Sequence, residues 1–499
     1  FKFTVVRVIC QYADRSMVRF VSLILCCATA TAAHVDAPED SVQLALRDAH
    51  NDTTPYAPCP SCPVFAYDSW RGLIRQGSCR KLQIQDRIGH WATIRCKKLD
   101  GRKVFRFPAG IFEIHEQLLV PSEVTILGAA NPNDMSEPKK TPDWTKQTLF
   151  LATRGVTDYK MVYCHAKDMV TTRVGFVLSS NVRMRDISYQ GIDTIRPSDN
   201  GALCGGGAFE TKGCAENDCS VSSVNNGGSD GQGIKNVTLD RIRINDFFFA
   251  EDSVKVGAPI PGNYDCRTDH WMEECCFCKP NGVRSTQLAV WVPDSRGAQG
   301  SSEIHVSNLV MRSSQADGIN LHGKVSHATV SKVLIENTGD DTYALWGADA
   351  DPKDIVFKDC AAVNPGIMRP NWYGNCVATY GLKSVVFENI SCEAASPLKP
   401  IQQPGSDDVM IDTSMFVFYT SFGGSYPSGN TVCIRDWSFM DLTGKKYTPL
   451  NGSMEVYKPH KMVWTRAGNG VLAPFYLPSK KQQVNVKVCP SGDTTCCSH

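Results

Sequence analysis

Apolar residues along this chain come in short bursts at alternate positions, separated by Gly, Asn, Asp and Ser. No long stretch sustains a helical period, so the pattern predicts strands. One motif recurs: apolar, any, apolar, two polar residues, apolar, any, apolar. It reads Val182-Met184-Ile187-Tyr189, Val237-Leu239-Ile242-Ile244, Ile304-Val306-Leu309-Met311 and Ala328-Val330-Val333-Ile335. It returns as Ile355-Phe357-Cys360-Ala362, Val385-Phe387-Ile390-Cys392 and Val432-Ile434-Trp437-Phe439. The middle pair is polar, as in Arg185-Asp186, Ser307-Asn308 and Glu388-Asn389.

Two residues of a strand point inward, a polar kink turns the chain, and two residues of the next strand point inward again. Stacked coils of this kind bury an apolar column that one coil alone cannot. Successive starts at 304, 328, 355 and 385 lie 24, 27 and 30 residues apart, lengths that suit one turn of a parallel β-helix. A β-sandwich is the alternative, but the repeated kink favours the solenoid. The Val104–Ile114 and Val124–Gly128 stretches read as its first coils. The cysteine-rich 198–231 and 257–282 segments read as long excursions.

The expected organisation is upstream residues plus a signal over 1–33, a linker over 34–58 and a cysteine-containing N-terminal cap over 59–100. The β-helix follows over 101–445, with a C-terminal cap or tail over 446–499. The caps are expected because the ends of an apolar column must be hidden.

Composition adds an environment. Met17, Arg19, the apolar run from Phe20 to Cys27 and the small residues from Ala28 to Ala33 read as a secretory signal. The run is too short to span a bilayer, and no apolar run of about 18 residues follows it. The chain is therefore expected to be secreted and extracellular, without membrane association. Of the 22 cysteines, those beyond the signal read as disulfides pinning long loops, with an odd one left over. Cys59, Cys62 and the Cys275, Cys276, Cys278 cluster lack the partners of a zinc site. Four sequons, at Asn51, Asn236, Asn389 and Asn451, fit an exported chain. A net charge of +1 gives no reason to expect a nucleic-acid partner.

Candidate chemistry lies between 316 and 346. With the 24-residue offset, Val306 falls over Val330 and Leu309 over Val333, and the same register puts Asp317 over Asp341. Asp340 falls over Ala316. Carboxylates on adjacent rungs would lie roughly 5 Å apart. Strict alternation would bury one of Asp340 and Asp341 in the column, at a cost of several kcal/mol unless paired. Gly339 is expected to permit a bulge that turns both outward at a strand end. Three clustered acids raise the pKa of at least one. Such a set suits glycosidic hydrolysis, calcium ligation or solvated turns, and spacing leaves all three open.

Two motifs, Asp317-Gly-Ile-Asn-Leu-His-Gly323 and Asn337-Thr-Gly-Asp-Asp341, resemble those of glycoside hydrolase family 87, the α-1,3-glucanases (mutanases) and mycodextranases. The segment from Asp199 to Cys214 resembles the family too, and so, more weakly, do Gly233–Leu239 and Arg243–Phe247. The resemblance runs from about 100 to 445. It implies a right-handed parallel β-helix of the pectin-lyase-like kind and an inverting, endo-acting hydrolysis of α-1,3-glucan. It maps the three catalytic aspartates onto Asp317, Asp340 and Asp341. Because Asp340 stands apart from the stacked pair, it is expected to be the general acid, with Asp317 and Asp341 activating water.

The chain departs from the family in its abundance of cysteine and in lacking a clear carbohydrate-binding module near its N-terminus. His322 and Trp346 share one stacked position and read as a sugar platform, with Asn320 in the same motif. Trp291, Trp372 and Tyr373 are further substrate-binding candidates. No metal or cofactor is expected, and the chain reads as a monomer. The alternatives are a hydrolase of nigeran or of a pectic polymer, and a non-catalytic polysaccharide-binding β-helix. The 316–346 stretch has only Lys324 and Lys332 as bases, which disfavours pectin.

Overall fold

The computed structural model describes residues 62–129, 143–153, 174–193, 207–211, 233–246, 284–293, 300–347, 350–366, 368, 374–393, 401–402, 409–410, 415–418, 424–440, 446–448, 475–476, 484–489 and 496. The segments expected to be a signal and a linker, Trp372, Tyr373 and most of the two cysteine-rich excursions lie outside these residues.

The molecule is a right-handed parallel β-helix. Its first ladder stacks Arg183–Gln190, Lys235–Ile244, Ser301–Met311, Thr329–Glu336, Ile355–Val363, Ser384–Glu393 and Thr431–Met440 in parallel. These are the seven repeats, in the register the pattern implies: Val306 pairs with Val330, Val330 with Phe357, and Phe357 with Phe387. Every apolar position of the motif is buried. The kink has one conformation throughout. Its second residue is Asp186, Arg241, Asn308, Lys332, Asp359, Asn389 or Asp436, each left-handed with φ between 47° and 58°. A left-handed residue costs a side chain about 1–2 kcal/mol, and Asn and Asp bear it best. Five of these seven are Asn or Asp, which accounts for the polar pair seen in sequence.

A second parallel ladder runs through Gln117–Val120, Gly175–Leu178, Gly207–Thr211, Leu288–Val292, Ile319–His322, Tyr343–Trp346, Val377–Tyr380, Phe416–Phe418 and Phe475–Tyr476. Its inward side chains, among them Ile319, Leu321, Tyr343, Leu345 and Val377, close the column against the first ladder.

The N-terminal end is covered by the helix Tyr67–Arg75, whose fully buried Trp70 meets Phe107, Phe112 and Phe150. The hairpin Trp91–Arg106 follows, tied to the end of that helix by Cys79–Cys96. The ladder also extends beyond the expected limits: Val64–Phe65 pairs with Ile111–Phe112, and Val486–Val488 adds a rung beyond Thr431–Met440.

One of the described disulfides, Cys376–Cys392, lies inside the column. Both cysteines belong to the buried core, and Cys392 fills an inward position of the repeat. Cys360, inward on the preceding coil, is a buried free thiol.

Candidate active site

The site lies where the first ladder hands over to the second. After Thr329–Glu336 the chain turns through Asn337 to Thr342 and enters Tyr343–Trp346. Here Asn337, not Gly339, is the left-handed residue, with φ 57°. It is held by donating from Nδ2 to the Arg312 carbonyl at 3.1 Å, while Asn364 of the next coil donates to its Oδ1 at 2.9 Å. The expected bulge at Gly339 is therefore replaced by an asparagine corner.

Gly339 serves close approach instead. A Cβ there would sit 2.1 Å from the Gln315 carbonyl oxygen, one coil earlier. On the other side, a Cβ on Gly374 would sit 2.4 Å from the Asp340 carbonyl oxygen. The backbone carrying the two adjacent acids is thus clasped between coils.

Asp317 and Asp341 stack, as Ile319 pairs with Tyr343. One carboxylate oxygen each of Asp317, Asp340 and Asp341 lies within 4.8 Å of the others. Asp317 is 3% exposed, Asp341 is fully buried and Asp340 is half-buried, so Asp340 is the acid that solvent reaches most. Asp317 accepts the Asp341 main-chain N–H on Oδ1 at 3.2 Å and Asn320 Nδ2 on Oδ2 at 2.6 Å. Asp341 accepts the Asn375 main-chain N–H and Nδ2 on Oδ1, at 3.0 and 2.7 Å, and Tyr380 Oη on Oδ2 at 2.6 Å. Burial, and then the charge of Asp340, push the Asp341 carboxyl up to about 7, although these hydrogen bonds oppose the rise. Asp341 therefore keeps its proton toward neutrality.

The oxygen spacing would admit a divalent cation. Yet N–H and O–H donors already point at both oxygens of Asp317 and of Asp341, which offsets the charge a cation would require. The donor set thus fits a working pair of carboxyls better than a cation cage.

His322, Trp346 and Tyr380 form an aromatic row on the outer face of three successive coils. Centroids lie 5.7 Å apart for His322–Trp346 and 4.8 Å apart for Trp346–Tyr380. Trp346 is half-buried and His322 is buried. Asn320 is buried beside Asp317, and its Oδ1 accepts no hydrogen bond among the described residues. Trp291 is brought next to Asn320 by the register, but its indole is 3% exposed and packs on Leu288 and Ala316. It fills the wall and offers no face to a sugar, contrary to the expectation from sequence.

Asn375 and Tyr380 were missed in the sequence. Three segments nonetheless align by register: Asp317-Gly-Ile-Asn-Leu-His322, Asp341-Thr-Tyr-Ala-Leu-Trp346 and Asn375-Cys-Val-Ala-Thr-Tyr380. Polar-first and ring-last is the signal that points to them.

No protein-family model matches the chain, and no curated protein matches it. Similar solved structures include the catalytic domain of a GH87 alpha-1,3-glucanase in complex with nigerose, at 14% identity and a TM-score of 0.35, covering 67% of this chain and 48% of that one. Another is the catalytic unit of a thermostable GH87 alpha-1,3-glucanase from Streptomyces thermodiastaticus strain HF3-3, at 13% identity and a TM-score of 0.33, covering 69% and 43%. The Agl-KA catalytic domain aligns at 13% identity with a TM-score of 0.30, covering 67% and 49%. The chain spans about half the length of these structures.

Proposed function

We propose that this chain is a secreted glycoside hydrolase that cleaves α-1,3-glucosidic bonds within a glucan. The observation that carries the reading is the convergence of Asp317, Asp340 and Asp341 at one end of an aromatic row. Clustered acids in different environments hold different protonation states, which acid–base cleavage of a glycosidic bond needs. The substrate class and the aspartate roles follow from the motif resemblance together with this geometry. Secretion follows from the predicted signal and agrees with the disulfides.

Asp340, the most accessible acid, gives a proton to the glycosidic oxygen. The C1–O bond breaks and the leaving sugar departs as an alcohol. Water attacks C1 and passes its proton to Asp317, so the consumed and gained protons balance. In register terms Asp341 belongs with Asp317 over the water. Trp346 offers a face on which a sugar ring stacks, and the buried Asn320 steadies Asp317.

One observation favours a second reading of the stereochemistry. Inverting pairs ordinarily stand about 6.5–9.5 Å apart and retaining pairs about 5–5.5 Å apart. One oxygen of each acid lies within 4.8 Å of the others, which brings the acids close enough for Asp317 to act as a nucleophile. Inversion is kept as the expectation because the motifs carry it.

The test is incubation with insoluble α-1,3-glucan followed by a reducing-sugar assay. Release by the wild type, and its loss in Asp340→Asn with the fold intact, is expected. An inactive wild type, or an active Asp340→Asn, would overturn the reading.

A further inference from the structure

Asp341 has an unusual situation for a working acid. It is fully buried, yet both of its oxygens are occupied by neutral donors from the coil above. Asn375 supplies two of these donors from directly above Asp341, because Tyr343 pairs with Val377 two positions later. Tyr380 supplies the third, from the end of the strand Val377–Tyr380, which Asn375 precedes by two residues. Its reach back to Asp341 fixes where the ring lies, and the ring meets Trp346 edge-on at a 4.8 Å centroid separation. Trp346 packs in turn against Ala378, Tyr380 and Val417. One side chain therefore touches both the acid cluster and the aromatic face.

The frame is itself anchored. Asn375 precedes Cys376, whose disulfide to Cys392 crosses the interior and whose carbonyl accepts the Tyr343 N–H at 3.0 Å. Tyr343 is also held by its Oη, which donates to the Ala361 carbonyl at 2.8 Å. The coil above Asp341 is thus locked to the coil that carries it, and the donors have little freedom to leave.

Resting on the hydrolase reading above, we propose that Tyr380 is a positioning residue, acting with Asn375. Its hydroxyl fixes the carboxyl of Asp341 against Asp340, and its ring supports Trp346 as the sugar-stacking surface. Orientation of the acid and placement of the sugar then share one support. The ionisable groups facing Asp341 are Asp317 from the coil below, Asp340 on its own turn and Tyr380 from above, with His322 on the same outer face. Tyr380 is the neutral donor among them. Without its hydroxyl, Asp341 loses one of three bonds that favour its ionised form, and its Oδ2 is no longer held.

Tyr380→Phe keeps the ring and removes the donor, whereas Tyr380→Leu removes both. Loss of a hydrogen bond to a charged group corresponds to about a 10–100-fold effect. Tyr380→Phe should lower kcat by about that factor with KM within about threefold, and Tyr380→Leu should raise KM as well. A second readout needs no substrate: the thermal-unfolding midpoint followed from pH 4 to 8. In Tyr380→Phe the fall in midpoint with rising pH should extend to higher pH than in the wild type. Asn375→Ser, which removes Nδ2 but keeps the main-chain donor, should move that profile in the same direction and serves if the tyrosine variants do not fold. If the wild type releases no sugar, the hydrolase reading fails and the unfolding profile alone decides the positioning role. Unfolding profiles that superpose on the wild type, or a Tyr380→Phe enzyme with unchanged kcat, would overturn the proposal.

Discussion

The main-chain N–H of Asp341 donates to Oδ1 of Asp317, a residue 24 positions earlier, at 3.2 Å. One turn of the solenoid turns this sequence separation into direct contact. The bond ties the geometry of one acid to the backbone that carries the other. It also equips Asp317 to carry negative charge, since its oxygens face an N–H and an amide.

Replacing Asp317 by Asn should therefore spare the fold and remove the chemistry. The Asn carbonyl still accepts the Asp341 N–H, and a turn of the Asn320 amide presents its Oδ1 to the new Nδ2, so the unfolding midpoint should move little. Loss of a general base costs about 10²–10⁴ in rate, so sugar release should fall by that factor. A reducing-sugar assay beside circular dichroism checks both halves. A variant with near-normal turnover would remove Asp317 from the reaction.

How far this arrangement was legible in sequence differs from residue to residue. The seven kinks were legible because an inward-polar-inward pattern leaves the same imprint wherever it stacks. The Asp317–Asp341 register was legible because no insertion interrupts the 24 residues between those coils. Asn375 and Tyr380 were not found because a 34-residue separation hides the next coil, and Asn replaces Asp at its head. Gly339 was assigned the wrong role, since sequence shows that a glycine is present but only the Gln315 carbonyl beside it explains why. The Cys376–Cys392 pairing could not be read, since connectivity among many cysteines is not encoded in spacing. Trp291 looked like a platform residue because an indole reads alike whether it faces a sugar or a wall.

The buried Asp341 should make stability depend on pH in the sense opposite to most carboxylates. Its folded pKa is raised, from 3.8 to about 7, by desolvation first and by Asp340 second. Between these values the folded state binds more protons than the unfolded one, so stability falls as pH rises. This contribution is fully present below about pH 4 and is lost as pH climbs through about 7. Calorimetric unfolding across that window should show the decline, and Asp341→Asn should flatten it. A variant as steep as the wild type would mean that another group titrates.

Gly339→Ala tests the clasp around the acid pair. Its Cβ would meet the main-chain oxygen of Gln315 at 2.1 Å, and the carbonyl carbon at 2.6 Å. Backbone atoms cannot rotate away, so a loss of about 1–3 kcal/mol is expected, with a fall in activity as Asp340 and Asp341 shift. Gly72→Ala is the matched control. Its Cβ meets nothing within 4 Å inside the helix Tyr67–Arg75, and it should gain up to about 1 kcal/mol. Urea unfolding of both variants gives the comparison, and equal midpoints would refute the close-approach role.

The stereochemistry of cleavage separates the two uses of Asp317. As a base it directs water to C1 from the face opposite the leaving group, and the first product of an α-linkage is a β-anomer. As a nucleophile it forms a glycosyl ester that water later opens, and the first product is an α-anomer. Asp317 and Asp341 are buried and hydrogen-bonded to each other. Inversion therefore requires substrate and water to approach from the side of Asp340, the acid that solvent reaches most. Proton NMR of the product, recorded before mutarotation, should show the β-anomer signal first. An α-anomer first would assign Asp317 as the nucleophile, and Asp317→Ala would then regain turnover with azide, yielding a glycosyl azide.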